Sequence, residues 1–314
     1  MAVKYYIEDI IPFLLEEDQK IGRKSKDIFF TNVVASKHIN ESSLDWINPS
    51  NPKKQKLFNC SKAKIIICDK SIKVTKDVME KKCIVRANDP KHTFANIVNN
   101  IFVEEKKCGV HETAFVSPEA KLHKTAYIGP FTYIGKAIIG EDTHIHGNCF
   151  IYDHVKIGNK VIINAGTVIG SEGYGYVKNK KNNMIKFPHV SGVSIGNNVE
   201  IGSNTSIDRG SLSDTIIMDG AKIDNLVHIA HNVVVGKNSA VIANAMIGGS
   251  TIIGDNAWIA PSVSILEQLE ISKEVIVGVG SVVTKDVAPY SVVAGVPAKT
   301  IKMREDTTTE VRLK

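Results

Sequence analysis

Aromatic residues are scarce in this chain, at 6% of 314 residues, so its core cannot be built on ring packing. No apolar run approaches the length that would span a bilayer, which excludes a helical membrane protein. The opening stretch, MAVKYYIEDIIPFLLEEDQK, is too short in its apolar part and too acidic for a secretory signal. Five cysteines (Cys60, Cys68, Cys83, Cys108, Cys149) form no close pair and no metal-ligand spacing. That argues against a disulfide framework and for a reducing compartment, so the expected location is the cytoplasm. The net charge of +6 is mild and its lysines are scattered, so nucleic acid is not the expected partner. No glycine-rich nucleotide loop opens a helix, which argues against a fused sugar nucleotidyltransferase.

One feature is present in abundance. Counting back in sixes from Val283 meets Val277, Ile271, Ile265, Ile259, Ile253, Ile247, Val241, Val235, Ile229, Ile223 and Ile217 without a break. The same phase holds Val116, Leu122, Ile128 and Ile134, then, after a one-residue slip, Ile139, Ile145, Ile151, Ile157, Ile163 and Ile169. Ordinary amphipathic strands would alternate with period two. A fixed phase of six predicts a parallel β-helix, with each step a short strand and a corner, and a residue returning one coil on after about 18 positions. Gly and Asn recur just after the inward residue, where a corner needs positive φ.

The predicted organisation has three parts. Residues 1–107 lack the phase and read as a small α/β domain. Ile7, Ile10, Ile11 and Leu14 give one helical face, Phe29 to Ala35, AKIIICD and CIVRAN read as strands, and a helix starts at Asp89-Pro90. The β-helix covers 108–286, interrupted at about 171–192 by a polar, glycine-rich segment expected to project as a long loop. Residues 287–314, where the phase stops, form a C-terminal segment. The expected fold class is thus mainly β. Such coils commonly trimerise about a parallel axis, so a homotrimer is expected.

Within KIDNLVHIAHNVVVG, His231 lies two places after inward Ile229, outward and near a corner. Asp224 and Asn225 follow inward Ile223, and Gly249 lies one coil above His231. An imidazole beside an amine is a natural general base, and a glycine N–H can serve an oxyanion. An ordinary solvent-facing corner histidine is the competing reading.

These residues sit inside longer stretches, GSEGYGY, IKFPHVSGVSIGNNVEIG, TSIDRGSLSDTII and GGSTIIG. Together they resemble the UDP-3-O-(3-hydroxyacyl)glucosamine N-acyltransferases of the lipid A pathway. VVASKHINESSLDWINP and ANDPKHTFANIVNNIF are similar to that family's uridine-binding domain. The resemblance implies a left-handed coil, an exception to the usual right-handed crossover. It implies that the general base falls on His231, the supporting acid on Asp224 and the oxyanion glycine on Gly249. It also implies that Trp46 and Asn48 contact the nucleotide base, although a core tryptophan is the alternative for Trp46. Asn225, Tyr174 and Tyr176 are further candidates for the sugar cleft, and Lys178, Lys180, Lys181 and Lys186 for phosphates.

The chain departs from that family at the donor end. Gln268 replaces a second histidine, Ser281 replaces the methionine that limits the acyl chain, and the family's long C-terminal helices are not matched. GVGSVVTKDVAPYSVVAGVPAKTIK instead resembles the ending of coenzyme A-dependent hexapeptide acetyltransferases, which implies a donor site near Gly249, Ser281, Lys285, Lys299 and Lys302. The leading expectation is N-acyl transfer from a thioester, acyl-CoA first, to the amine of a UDP- or dTDP-linked amino sugar for surface polysaccharide or O-antigen. The alternative is the lipid A enzyme itself, fed by acyl carrier protein. No tightly bound cofactor and no metal site are expected. A zinc-dependent carbonic anhydrase on the same solenoid would need three converging histidines, and a purely structural solenoid would leave the N-terminal domain without a purpose.

Overall fold

The structure is a computed structural model describing residues 3–23, 25–102 and 107–304. It divides into two compact units, 1–105 and 106–314.

In the N-terminal unit, Gln19–Gly22, Cys83–Ala87, Ile65–Asp69 and Leu44–Trp46 form a four-stranded sheet in that order. The last three run parallel and the first antiparallel. Both faces of the central strand are apolar, as a covered parallel strand requires. Ile65 and Ile67 pack with Leu44, Phe30 and Ile97, whereas Ile66 and Cys68 pack with Ile47, Phe58 and Ile72. The helix Pro90–Ile101 starts where Asp89-Pro90 predicts, with the Asp89 carboxylate accepting from the amides of Lys91 and His92 at 3.1 Å. Two expectations shrink. The helical face at Ile7 is a single turn, Ile7–Ile10, that passes into a 3₁₀ turn, Ile11–Phe13, at Pro12. The strand expected over Phe29 to Ala35 is only Phe29–Phe30, paired with Tyr5–Tyr6.

The second unit is a left-handed parallel β-helix. Three parallel sheets form its sides, and the aliphatics predicted from the phase of six line its axis. Ile223, Val241 and Ile259 stand in register on one side, and Ile229, Ile247 and Ile265 on the next. All six are at most 3% exposed, so the axis excludes water along its length. Buried hydroxyls at the corners are satisfied by carbonyls further along the chain. Thr205 Oγ1 donates to the Asp224 carbonyl at 2.8 Å and Thr251 Oγ1 to that of Leu266 at 2.8 Å. Exposed carboxylates and amides bind backbone N–H groups of adjacent coils, as Asp255 does for Lys237 at 2.7 Å.

Above Ile217 the repeat is 18 residues, as in Ile229↔Ile247. Below it, Ile207 pairs with Ile229, a step of 22. The extra residues bulge out after Arg209. The segment at 171–192 leaves the coil through the strand Val168–Glu172. It then folds into an antiparallel hairpin, Tyr176–Lys178 with Met184–Lys186, rather than a plain loop. Asn179 Oδ1 accepts from the amides of Lys181 and Asn183 and ties its turn. At the far end the aliphatic phase stops at Val283, but the sheet does not. Ser291–Ala294 pairs in parallel with Ile276–Val277, and Lys299–Met303 turns back antiparallel on it.

One corner position repeats with positive φ at Asn204, Leu226 and Asn244. Leu226 is the misfit, a γ-branched side chain at φ 59° and 60% exposed. A left-handed backbone costs an L-residue with a Cβ about 1–2 kcal/mol, which Asn offsets locally. Leu226→Asn is expected to raise the unfolding midpoint, by about 1 kcal/mol of stability; an unchanged or lower midpoint in denaturant titration would contradict this.

Candidate functional site

His231 stands at the corner that follows the strand His228–Ile229, half-buried as its phase predicts. Its carbonyl accepts from the Ser250 amide at 2.9 Å, so Gly249 lies directly alongside it one coil on. The approach is close. A Cβ on Gly249 would fall 2.7 Å from His231 Cε1 and 2.9 Å from Nε2. A side chain there would push the imidazole out of this position. The Gly249 amide makes no hydrogen bond among the described residues, so it is a donor available at the site.

The neighbour of His231 determines its proton. His231 Nδ1 is 3.0 Å from Asn232 Oδ1. Asn232 cannot be turned around. Its Nδ2 donates to the Ser213 carbonyl at 2.7 Å, and its Oδ1 accepts from the amide and hydroxyl of Ser211 at 3.2 and 2.8 Å. A carbonyl only accepts and a backbone amide only donates, so both ends of the side chain are assigned. Nδ1 therefore carries the hydrogen and Nε2, facing Gly249, keeps the lone pair. That is the tautomer a general base needs.

A carboxylate that the sequence did not single out, Asp208, lies beside these histidines. Asp208 is buried, accepts from Ser171 Oγ at 2.9 Å and has Oδ2 3.8 Å from His228 Nε2. Burial pushes its carboxyl above the usual range, and Ser171, His228, His231 and His189 pull against that shift. Asp224 lies one corner earlier, separated from His231 by the strand His228–Ile229. There its Oδ1 accepts from the Asn225 amide at 2.7 Å and its Oδ2 from Ala243 at 3.1 Å. Asn225 is likewise structural, with Oδ1 accepting from the Ser203 amide at 2.6 Å. Both residues, expected as supporting acid and cleft residue, make hydrogen bonds that brace corners. Asp208 was missed because the 22-residue step hides that Ile207, just before it, sits against Ile229.

Gly173 is buried against this corner, and a Cβ on it would lie 2.9 Å from His189 Nε2 and from His231 Cβ and Cδ2. Gly175 approaches His189 as closely as a 3.0 Å Cβ contact. The Tyr174 and Tyr176 rings lie 4.9 Å apart, and both are exposed. His189 itself went unnoticed as a site residue. It is 3% exposed and meets the His231 ring edge to face at 5.0 Å. Burial, and then the neighbouring His231, hold its imidazole below the usual histidine range. Lys186 of the hairpin is engaged with Glu172, and Lys178, Lys180 and Lys181 are exposed on it.

Gln268 lies at the same corner, one coil beyond Gly249, with its amide donating to the Gly249 carbonyl at 2.8 Å. Ser281 does not line a donor site. It is fully buried, its hydroxyl donating to the Gly278 carbonyl at 2.7 Å and accepting from the Gly295 amide at 3.1 Å. A serine at that corner braces the coil, like Thr251 and Ser239. Lys285 and Lys299 are exposed near the end of the coil, as is Lys302. Among the described residues, no three His, Cys, Asp or Glu side chains gather in a way that would hold a metal ion.

The N-terminal unit holds a separate cavity of about 710 Å³. Trp46 and Asn48 both line it, with Phe94 and Lys37. Trp46 is half-buried and leans on Phe94 at 6.0 Å, so it is a wall of the cavity rather than a sealed core residue.

Comparison with known proteins places this geometry. The bacterial transferase hexapeptide model (six repeats) matches residues 136–171. The UDP-3-O-acylglucosamine N-acyltransferase of Coxiella burnetii is 31% identical over 275 residues, covering 80% of this chain and 78% of that protein. The chain belongs to the UDP-3-O-acylglucosamine N-acyltransferase family. The Methylobacterium nodulans relative is 43% identical over 157 residues, 49% of this chain and 44% of its own. Among solved structures, the UDP-N-acetylglucosamine acyltransferase of Francisella novicida superposes with a TM-score of 0.57 at 26% identity, over 62% of this chain and 70% of that one. The enzyme is accordingly an N-acyltransferase.

Asn232 orients the His231 ring, and Gly tolerates its φ of 61°. Asn232→Gly is expected to cut turnover roughly tenfold or more by freeing the imidazole. Native-like thiol release in this variant would show that Nδ1 is not held there.

Proposed function

We propose that this enzyme transfers an acyl group from a thioester to the free amine of a UDP-linked, 3-O-acylated glucosamine, as its lipid A pathway relatives are named for doing. The observation that carries the reading is the His231 Nε2 lone pair facing Gly249, with Nδ1 held by Asn232. The sugar amine approaches Nε2, its nitrogen attacks the thioester carbonyl and the C–N bond forms. His231 takes the N–H proton. The carbonyl oxygen, now an alkoxide, is met by the unpartnered Gly249 amide. Collapse breaks the C–S bond, and the imidazolium returns its proton to the leaving sulfur. The products are an amide and a thiol, and the enzyme is unchanged. Asp208, buried beside the histidines, steadies the imidazolium at the moment it forms.

The nucleotide base is assigned to the N-terminal cavity, with Trp46 as its stacking surface and Asn48 as a polar contact. The donor is acyl carrier protein or coenzyme A. The sequence of the coil end, with Lys285, Lys299 and Lys302 exposed, supports coenzyme A and with it a second reading, a UDP- or dTDP-amino sugar destined for surface polysaccharide. The working unit is taken as a homotrimer, the closed symmetry open to such coils. No helix among the described residues is long and apolar enough to cross a membrane; the odd count and wide spacing of the cysteines along the sequence support a reducing compartment.

Two outcomes test these assignments. His231→Ala should lower thiol release by about 10²–10⁴-fold with the coil still folded by circular dichroism. The same assay, run with acyl-CoAs and acylated carrier protein against UDP-3-O-acylglucosamine and a panel of dTDP-amino sugars, selects donor and acceptor; turnover undiminished in the variant would remove His231 from the chemistry. Trp46→Ala should weaken UDP binding by roughly tenfold in calorimetry, in line with about 1–3 kcal/mol for a base stacked on an aromatic ring. Equal affinity would move the nucleotide elsewhere.

A further inference from the structure

His189 is an expensive residue where it stands. It is 3% exposed, and neither ring nitrogen makes a hydrogen bond among the described residues. The Phe187 backbone lies near enough to favour the charged ring only weakly. Two orphaned polar atoms in a buried position cost free energy that an apolar side chain of the same size would not. Nothing in the coil needs an imidazole there. Val190, the next residue, is exposed, and the inward positions of this coil are filled by Val193 and Ile195. A polar group kept unpaired against stability points to a ligand that completes it.

Its surroundings say which ligand. The ring meets His231 at 5.0 Å, and Gly173 and Gly175 keep both imidazoles clear of side chains. Lys186, Asp208 and His231 are the charged or titratable groups that act on it, and its ring stays neutral beside them. A neutral imidazole offers one N–H donor and one acceptor. An amine poised on His231 brings with it the substituents of the flanking sugar carbons. In a UDP-linked 3-O-acylglucosamine these are the ester carbonyl on one side and the anomeric phosphate on the other, and both present oxygen acceptors.

We propose that His189 is a second imidazole of the acceptor site, donating a ring N–H to an oxygen on a sugar carbon next to the reacting amine. This rests on the acyl-transfer reading above. The contact is made to the bound acceptor throughout the reaction, so its loss falls on acceptor binding more than on the chemical step.

The test uses the full chain with two variants, His189→Leu and His189→Gln. In the leucine variant the acceptor KM and calorimetric Kd should rise roughly tenfold to a hundredfold, with kcat and the donor KM little changed. The unfolding midpoint of this variant should be equal to or above that of the native chain, which a merely structural histidine would not allow. Glutamine, which keeps a neutral donor, should restore acceptor affinity to within about threefold. UDP-glucosamine lacking the 3-O-acyl group locates the oxygen. If the leucine penalty disappears with it, the partner is the ester carbonyl; if the penalty persists, the partner is the phosphate. Native-like acceptor affinity in the leucine variant overturns the assignment and leaves the acyl-transfer reading standing. So does a lowered midpoint without a change in affinity. A native chain that neither binds nor turns over the acceptor overturns both.

Discussion

The stack of aliphatic side chains along the coil axis is the constraint from which the rest follows. Each inward Ile or Val is in register with the one a coil away, as Ile229 is with Ile247, and the axis they fill is dry. A slip of one residue would turn every such side chain outward. The phase therefore assigns a corner, a face and an orientation to every residue between. His231 reaches Gly249 because the backbone between them has nowhere else to go.

On that frame the site is assembled from contacts that prefer chemistry to stability. The Asn232 amide is held at both ends so that His231 presents a lone pair. Asp208 is buried with one hydroxyl and a histidine at the edge of contact. His189 is buried with neither nitrogen bonded. Hexapeptide corners elsewhere satisfy their buried polar atoms, as Thr205 and Thr251 do. Among the described residues the His189 nitrogens differ from these hydroxyls in having no partner.

Much of this was legible before any coordinates. The phase of six located the coil, its inward residues and the one-coil relation of His231 to Gly249. The composition of 171–192 marked a departure from the coil, and Asp89-Pro90 marked a helix start. What could not be read was anything that depended on a step other than 18. The bulge after Arg209 lengthens one coil to 22 residues, so counting in eighteens could not bring Asp208 beside the histidines. Counting along the chain also cannot reveal that a small polar residue ties a corner, as the hydrogen bonds of Ser281 and Asn225 do. His189 carried no periodic signal, because it lies in the insertion that returns to the coil.

The spacing of neighbouring strands in a β-sheet, about 4.8 Å, is invariant because backbone hydrogen bonds set it. His231 and Gly249 lie on adjacent coils, so that spacing sets the separation of their backbones. It acts as a ruler that no side chain can lengthen. Whole coils added or removed at either end of the solenoid would leave the pair of adjacent turns intact, while any fractional change between them would dismantle it. The chemistry is tied to a single layer of the stack, and the length of the stack is free to vary around it.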